Sequence, residues 1–166
     1  MREKQPWLLT VDRTVGGPYE NILTPEQTVP DQPLQVPWES CISMGTGFSF
    51  RYEDDYKPTR QLIHLFIEII AKGGNLALNV APQPDGRIAK NAINRIKEMG
   101  EWLKKYGEAV YGTRITAPYF LDQVAFTKKE NHVYCFYLYE ENESQKKELF
   151  IPYKEKVTQI DEVSGS

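Results

Sequence analysis

Residues 58–80, PTRQLIHLFIEIIAKGGNLALNV, predict a helix that is followed directly by a buried strand. Pro58 suits the start of a helix, and apolar residues recur from there at helical spacing. Lys72-Gly73-Gly74 ends the pattern, because glycine is the usual residue just beyond a helix C-terminus. The apolar run 75–80 then predicts a strand covered on both faces, which is typical of parallel sheets in α/β proteins.

The same alternation continues on both sides of this unit. Residues 7–11 and 38–44 are short apolar runs that predict two further buried strands. Residues 89–105 predict a second amphipathic helix, whose apolar face carries Ile93, Ile96, Met99 and Leu103. The pattern therefore favours an α/β fold with parallel strands.

Residues 14–37 separate the first two predicted strands and contain five prolines, at 18, 25, 30, 33 and 37. Because proline removes a backbone donor and fixes φ, we expect no regular element in this stretch. A structureless loop of this length in a compact domain is usually functional. The loop is therefore the first place to look for a site.

The helical period disappears after Thr113, and short runs typical of antiparallel strands follow at 124–127, 133–139, 149–151 and 157–160. This change predicts a domain boundary near 113–117. Three parallel strands and two helices cannot cover a sheet that is buried on both faces or close it into a barrel. We therefore expect both domains to be incomplete.

The composition excludes some classes of partner. The net charge is −3, from 20 basic and 23 acidic residues, so nothing in the charge favours nucleic acid. No apolar run predicts a membrane segment. Cys41 and Cys135 lack the spacing of a metal site, and both lie in apolar runs that predict buried, unreactive thiols. We expect no metal and no cofactor.

Residues with site chemistry cluster after the predicted strands, where α/β barrels keep their active sites. The group comprises Asp12, Arg13, Glu20, Glu26, Phe48, Phe50 and Asn79. Carboxylates with an arginine and aromatic rings suit sugar recognition and glycoside hydrolysis. The same residue types also form ordinary surface ion pairs, so this pattern alone leaves both readings open.

Seven motifs occur in an order that resembles the catalytic domain of the α-L-fucosidases of glycoside hydrolase family 29. They are VDRT (11–14), YEN (19–21), TPEQ (24–27), PWESC (37–41), KGGNLALNV (72–80), PQPDG (82–86) and GEWL with YGT (100–103, 111–113). The resemblance implies that residues 1–114 are the C-terminal part of a (β/α)8-like TIM barrel. Residues 115–166 would then begin an incomplete all-β sandwich domain.

The resemblance also implies roles for individual residues in a retaining, exo-acting enzyme that acts on fucosylated glycans. Glu26 resembles the general acid/base, Arg13 a sugar contact, and Phe48 takes the place of a tryptophan that packs near the fucose methyl group. Ala81 replaces the usual glycine of the N-x-G-P turn. The nucleophilic aspartate belongs to an earlier barrel strand and is not Asp12. A single carboxyl group cannot perform retention, so we expect the 166 residues alone to be inactive.

Several alternatives stay open at this point. Glu20, on the same loop, could be the acid/base instead, although it equally suits a loop-anchoring contact with Arg13. Glu39 begins a strand, which is the barrel end away from the catalytic face, so a structural ion pair fits it better. His64 fits helix packing. The whole chain could also be a non-catalytic sugar-binding or structural remnant of a truncated gene.

The family's usual compartments imply that the enzyme is secreted, periplasmic or lysosomal. The sequence does not indicate the oligomeric state.

Overall fold

The computed structural model describes residues 3–13, 19–144, 146 and 148–163 and has a mixed α/β fold with one parallel and one antiparallel sheet. The elements, in chain order, are β1 (Glu39–Ser43), α1 (Thr59–Ala71), β2 (Asn75–Asn79), α2 (Lys90–Tyr106), β3 (Arg114–Leu121), β4 (Val124–Lys129) and β5 (His132–Tyr137). A single turn of 3₁₀-helix at Gly107–Ala109 connects α2 to the antiparallel part.

Four extended segments lie side by side in the parallel part, in chain order. Strands β1 and β2 pair in parallel from Glu39 opposite Asn75 to Ser43 opposite Asn79. Residues 22–27, which we name the Glu26 segment, pair in parallel with β1 and the residue before it, through Leu23 opposite Trp38 and Glu26 opposite Cys41. Residues 9–12, which we name the edge segment, pair in parallel with the other side of the Glu26 segment, through Val11 opposite Ile22. The carboxyl ends of all four segments therefore point the same way.

The described part of the 14–37 loop, residues 19–37, contains no regular helix or strand, as expected, although isolated bridges pair the Glu26 segment with its neighbours. Residues 14–18 lie outside the described residues. Leu23 exchanges backbone hydrogen bonds with Pro37 and Glu39, and Cys41 does so with Pro25 and Gln27. Pro25 has no N–H to donate, so the ladder is interrupted there and two isolated bridges form in place of a continuous strand.

The edge segment differs from the buried strand that the sequence predicts at 7–11. Only Val11 bridges to the Glu26 segment, at Ile22. Trp7 and Leu9 are exposed. Their exposure follows from position, because the described residues place no strand on the outer side of this segment.

Helix α1 forms where the sequence predicts a helix, at Thr59–Ala71. Pro58 directly precedes it, and the last turn closes with Gly73 N–H donating to Ile70 O and Gly74 N–H donating to Ile69 O. Gly73 has φ +84°, so this end is a Schellman motif that glycine adopts without steric cost. The helix contacts both sheets, since Ile69 packs with Trp38 and Ile42, whereas Ile67 and Ala71 pack with the antiparallel part.

Helix α2 spans nearly the predicted residues, and its predicted apolar face is correct only in part, since Met99 packs in the core and Leu103 is half-buried. Ala92 is fully buried with Met44 and Leu62, while Ile93 and Ile96 remain exposed. Alanine is small enough for the close approach of α2 to α1. The larger isoleucines of this helix lie outside that contact.

The antiparallel sheet has the order β3-β4-β5. Strands β4 and β5 confirm two predicted strands, but β3 was not predicted, because it contains Pro118 and its register shifts between Ile115 and Phe120. The predicted strands at 149–151 and 157–160 are wrong: these residues are irregular, with Phe150 and Ile160 exposed. Cys41 is half-buried, and Cys135 is exposed as a residue, which differs from the prediction of two buried cysteines. Partial burial nevertheless raises the pKa of the Cys135 thiol to about 11, as expected for an unreactive cysteine.

Candidate active site

Arg13 and Glu26 meet at the carboxyl ends of two neighbouring parallel segments. The Arg13 Nη1 atom donates to Glu26 Oε2 at 2.5 Å, and about half of each side chain is exposed. This hydrogen bond raises the pKa of the Arg13 guanidinium above its usual value. The structure thus brings together two of the three residues that the sequence singles out, in a position that solvent and a ligand can reach.

Asp12 ties the edge segment to the Glu26 segment. Its Oδ1 atom accepts the backbone N–H of Thr24 at 2.9 Å and also the Thr24 hydroxyl. These hydrogen bonds lower the pKa of the Asp12 carboxyl below its usual value. Asp12 therefore fixes the relative position of its neighbour Arg13 and of Glu26, two residues beyond Thr24.

Gln27 and Ser43 form a contact that sequence reasoning missed. Gln27 Nε2 donates to Ser43 Oγ at 2.7 Å, and the Ser43 backbone N–H donates to Gln27 Oε1 at 3.1 Å. The TPEQ motif contains this glutamine, but only the strand pairing of residues 26 and 41 shows that Ser43 lies beside it.

Phe48, the third predicted site residue, lies on the loop between β1 and α1. Its side chain is 41% exposed, and its backbone oxygen accepts a hydrogen bond from Asn79 Nδ2 at 3.2 Å. Asn79 is the last residue of β2, so the loop is fastened to the carboxyl end of the sheet.

The rest of this loop is held by its own polar residues. Asp54 accepts hydrogen bonds from the Thr46 N–H at 3.0 Å and the Thr46 hydroxyl at 2.6 Å. These contacts lower the pKa of the Asp54 carboxyl. Lys57 Nζ donates to the carbonyls of Ser43 at 2.6 Å and Gly45 at 3.2 Å. The loop that carries Phe48 is therefore closed at its base.

The two competing glutamates have different surroundings. Glu39 is the first residue of β1 and is exposed, which places it toward the amino end of the sheet, away from Ser43. Glu20 has a buried Oε1 atom without a hydrogen-bond partner among the described residues. Arg13 donates to Glu26, which is not the Arg13–Glu20 contact that the alternative reading expects.

Two surface cavities lie away from these residues. One, of about 230 Å³, is lined by residues from β4, β5 and the chain after them, including Tyr137 and Lys146. The other, of about 210 Å³, lies between α1 and the antiparallel sheet and is lined in part by His64. Burial lowers the pKa of the His64 imidazole. The candidate site is an open surface at the sheet's edge.

The described residues contain no group of three or more His, Cys, Asp or Glu side chains that could hold a metal ion. Within the same residues, no helix is both long and apolar enough to cross a membrane.

Comparison with known proteins gives a consistent result. Residues 1–108 match a family model described as alpha-L-fucosidase. The plasma alpha-L-fucosidase of Homo sapiens is 35% identical over 88 residues, which are 51% of this chain and 19% of that protein. The tissue alpha-L-fucosidase of Macaca fascicularis is 31% identical over 134 residues, which are 75% of this chain and 27% of that protein.

Solved structures agree with the sequence relatives. Alpha-L-fucosidase isoenzyme 1 from Paenibacillus thiaminolyticus superposes with a TM-score of 0.72 at 28% identity, over 80% of this chain and 35% of its own. Thermotoga maritima alpha-fucosidase in complex with fucose gives 0.66 at 29% identity, over 81% and 32%. The chain spans about a fifth of the length of the curated relatives that match it first, 19% in each of the first two.

Proposed function

Since residues 1–108 match its family model, the chain belongs to the alpha-L-fucosidase family, and we propose that it is part of a retaining, exo-acting α-L-fucosidase. Its substrates are glycans with terminal α-L-fucosyl residues. The ion pair between Arg13 and Glu26 carries this proposal, because it places a carboxyl group and a sugar-binding donor within 2.5 Å of each other.

Glu26 is the general acid/base of the proposed reaction. Retention uses two carboxyl groups about 5–5.5 Å apart, of which one attacks the anomeric carbon. The other protonates the leaving oxygen and then activates water. Glu26 suits the second task, because its side chain is half-exposed at the carboxyl ends of the parallel segments, where a leaving oxygen and an attacking water can both reach it.

Arg13 and Phe48 are the proposed sugar contacts. Because Arg13 already reaches a Glu26 oxygen, a sugar oxygen bound beside Glu26 also lies within its range. Phe48 offers an exposed ring on an anchored loop, which suits packing against the apolar methyl group of fucose.

The nucleophile of the proposed enzyme lies outside these residues. Asp12 is poorly suited to the role, because its Oδ1 atom accepts two hydrogen bonds from Thr24 and holds two segments together. We therefore assign the attacking carboxylate to a barrel strand that precedes this chain in the complete enzyme.

The proposal includes the architecture of the two parts of the chain. Residues 1–114 would be the C-terminal part of a (β/α)8 barrel, and residues 115–166 the start of a β-sandwich domain. Four parallel segments in chain order support the first part, because sequential parallel neighbours are the arrangement of barrel strands. The antiparallel order β3-β4-β5 supports the second part.

Proton NMR of hydrolysis by the complete enzyme tests the proposal. We expect release of fucose from an aryl α-L-fucoside, with the α-anomer of fucose formed first and the β-anomer appearing only by mutarotation. The 166-residue chain alone should release none. First appearance of the β-anomer would contradict retention, and a complete polypeptide that binds fucosides without cleaving them would favour the non-catalytic remnant.

A further inference from the structure

We propose that Gln27 is a positioning residue, which holds Glu26 in its working orientation through a two-point contact with Ser43. The inference rests on the proposed function, since it assigns Glu26 the acid/base role. It goes further by naming what keeps that carboxyl group in place.

The backbone at Gln27 has an unusual conformation. Its φ is +55°, in the left-handed region that residues other than glycine seldom occupy. The Gln27 N–H nevertheless donates to Cys41 O at 2.8 Å, so the residue ends the pairing of the Glu26 segment with β1. The chain turns away directly after Glu26, and something must maintain that turn.

The Gln27 side chain stabilises this turn through two hydrogen bonds to Ser43. Its amide donates to Ser43 Oγ at 2.7 Å and accepts from the Ser43 N–H at 3.1 Å, so both ends of the amide are used. Ser43 is 1% exposed, and water has little access to replace either contact. The carbonyl of Pro25 accepts from the Cys41 N–H at 2.9 Å, so both neighbours of Glu26 are fixed to β1.

Ser43 also connects this contact to the loop that carries Phe48. Its backbone oxygen accepts from Lys57 Nζ at 2.6 Å, and Lys57 closes the base of that loop. The residue thus couples the position of Glu26 to that of the proposed sugar contact. Loss of the Gln27 side-chain contact should loosen Glu26 while Ser43 remains held by Lys57.

Two substitutions separate the side-chain contact from the backbone turn. Gln27→Met keeps the length of the side chain and removes both hydrogen bonds. Gln27→Asn tolerates positive φ better than glutamine but is one methylene too short to reach Ser43. If Gln27 serves only the turn, asparagine should work at least as well as glutamine; if the contact matters, both variants should fail.

The readout is kcat/KM of the complete enzyme on two fucosides that differ in leaving group. Misplacement of a catalytic group by about 1 Å costs on the order of 10²-fold in rate. For an alkyl α-L-fucoside, whose leaving oxygen must be protonated, we expect both variants to lose about 10–100-fold. For an activated aryl fucoside, which needs little protonation, we expect a loss of less than about 3-fold.

Ser43→Ala removes only the hydrogen bond to Oγ and keeps the backbone N–H donor, so it should show a smaller loss that is selective in the same way. The double variant with Gln27→Met should lose no more than Gln27→Met alone. Thr127→Val is the matched control: it removes a buried hydrogen bond of 2.8 Å, to Ala109 O, in the antiparallel sheet. We expect it to affect both substrates equally and weakly.

Equal losses on the two fucosides in the Gln27 variants, or full activity of Gln27→Asn, would overturn the positioning role while leaving the proposed function intact. A wild-type enzyme that hydrolyses neither fucoside would overturn the proposed function and this inference with it.

Discussion

At the residue scale, the approach of α1 to the parallel sheet depends on Gly74. A Cβ atom at this position would lie 2.5 Å from three ring atoms of Trp38, closer than such contacts occur. Trp38 is itself 1% exposed and packs with Ile42 and Ile69, so its ring has little room to move. The second glycine of KGGN is therefore required by packing, whereas Gly73 is required by its positive φ.

We expect Gly74→Ala to destabilise the chain by about 1–3 kcal/mol, which is the usual cost of overpacking a core. Gly100→Ala is the matched control, because Gly100 lies within α2 and a Cβ there meets nothing within 4 Å. That change should stabilise the chain by about 0.5–1 kcal/mol, the helix propensity difference between glycine and alanine. Urea unfolding followed by tryptophan fluorescence measures both changes in the free energy of unfolding. If both variants were destabilised, or both stabilised, the packing account would be contradicted.

At the element scale, sequence patterns predict the regular elements well and the irregular ones poorly. Helices α1 and α2 and strands β1 and β2 fall within a residue or two of their predicted bounds, because their periods and glycine ends are local signals. The pairing of the Glu26 segment was not predicted, because it depends on partners at 10–12 and 37–41 that are distant in sequence. Pro25 also makes the segment look unsuited to strand pairing. Strand β3 was missed for the same kind of reason, with Pro118 inside it.

The candidate site shows the same division. The motifs single out Arg13 and Glu26, and the structure places them in contact, although their roles stay predictions. The partnership of Gln27 with Ser43 could not be predicted, because it depends on the register between two segments 16 residues apart.

The edge segment offers a test of the proposed barrel. Leu9 is 67% exposed in this chain, so Leu9→Lys should change the stability of the 166-residue chain by no more than about 0.5 kcal/mol. In the complete enzyme another strand would cover this edge. The same substitution should then destabilise the protein by several kcal/mol, because it buries an unpaired charge.

Thermal or urea unfolding of both polypeptides measures this difference, with Leu9→Met as a control that should be mild in each. If Leu9→Lys changed the stability of the complete enzyme as little as that of the 166-residue chain, this would count against closure of a barrel at this edge.

At the scale of the whole molecule, α1 joins the two parts of the chain. One side of α1 packs on the parallel sheet, and the other side shares a core with Ala125 and Leu138 of the antiparallel part. The proposed site lies at the carboxyl ends of the parallel segments. This arrangement leaves the face that carries Arg13 and Glu26 half-exposed to solvent, as the proposed reaction with a glycan requires.

The most direct test of the central claim, that Glu26 is the acid/base of an α-L-fucosidase, is the leaving-group dependence of a Glu26→Gln variant of the complete enzyme. Glutamine keeps the size of the side chain but cannot donate a proton to the leaving oxygen. We expect kcat/KM for an alkyl α-L-fucoside to fall by about 10²–10⁴-fold, the usual contribution of general acid catalysis. An activated aryl fucoside should lose less than about 10-fold, because its leaving group departs with little protonation. Equal losses on the two substrates would contradict the assignment of Glu26.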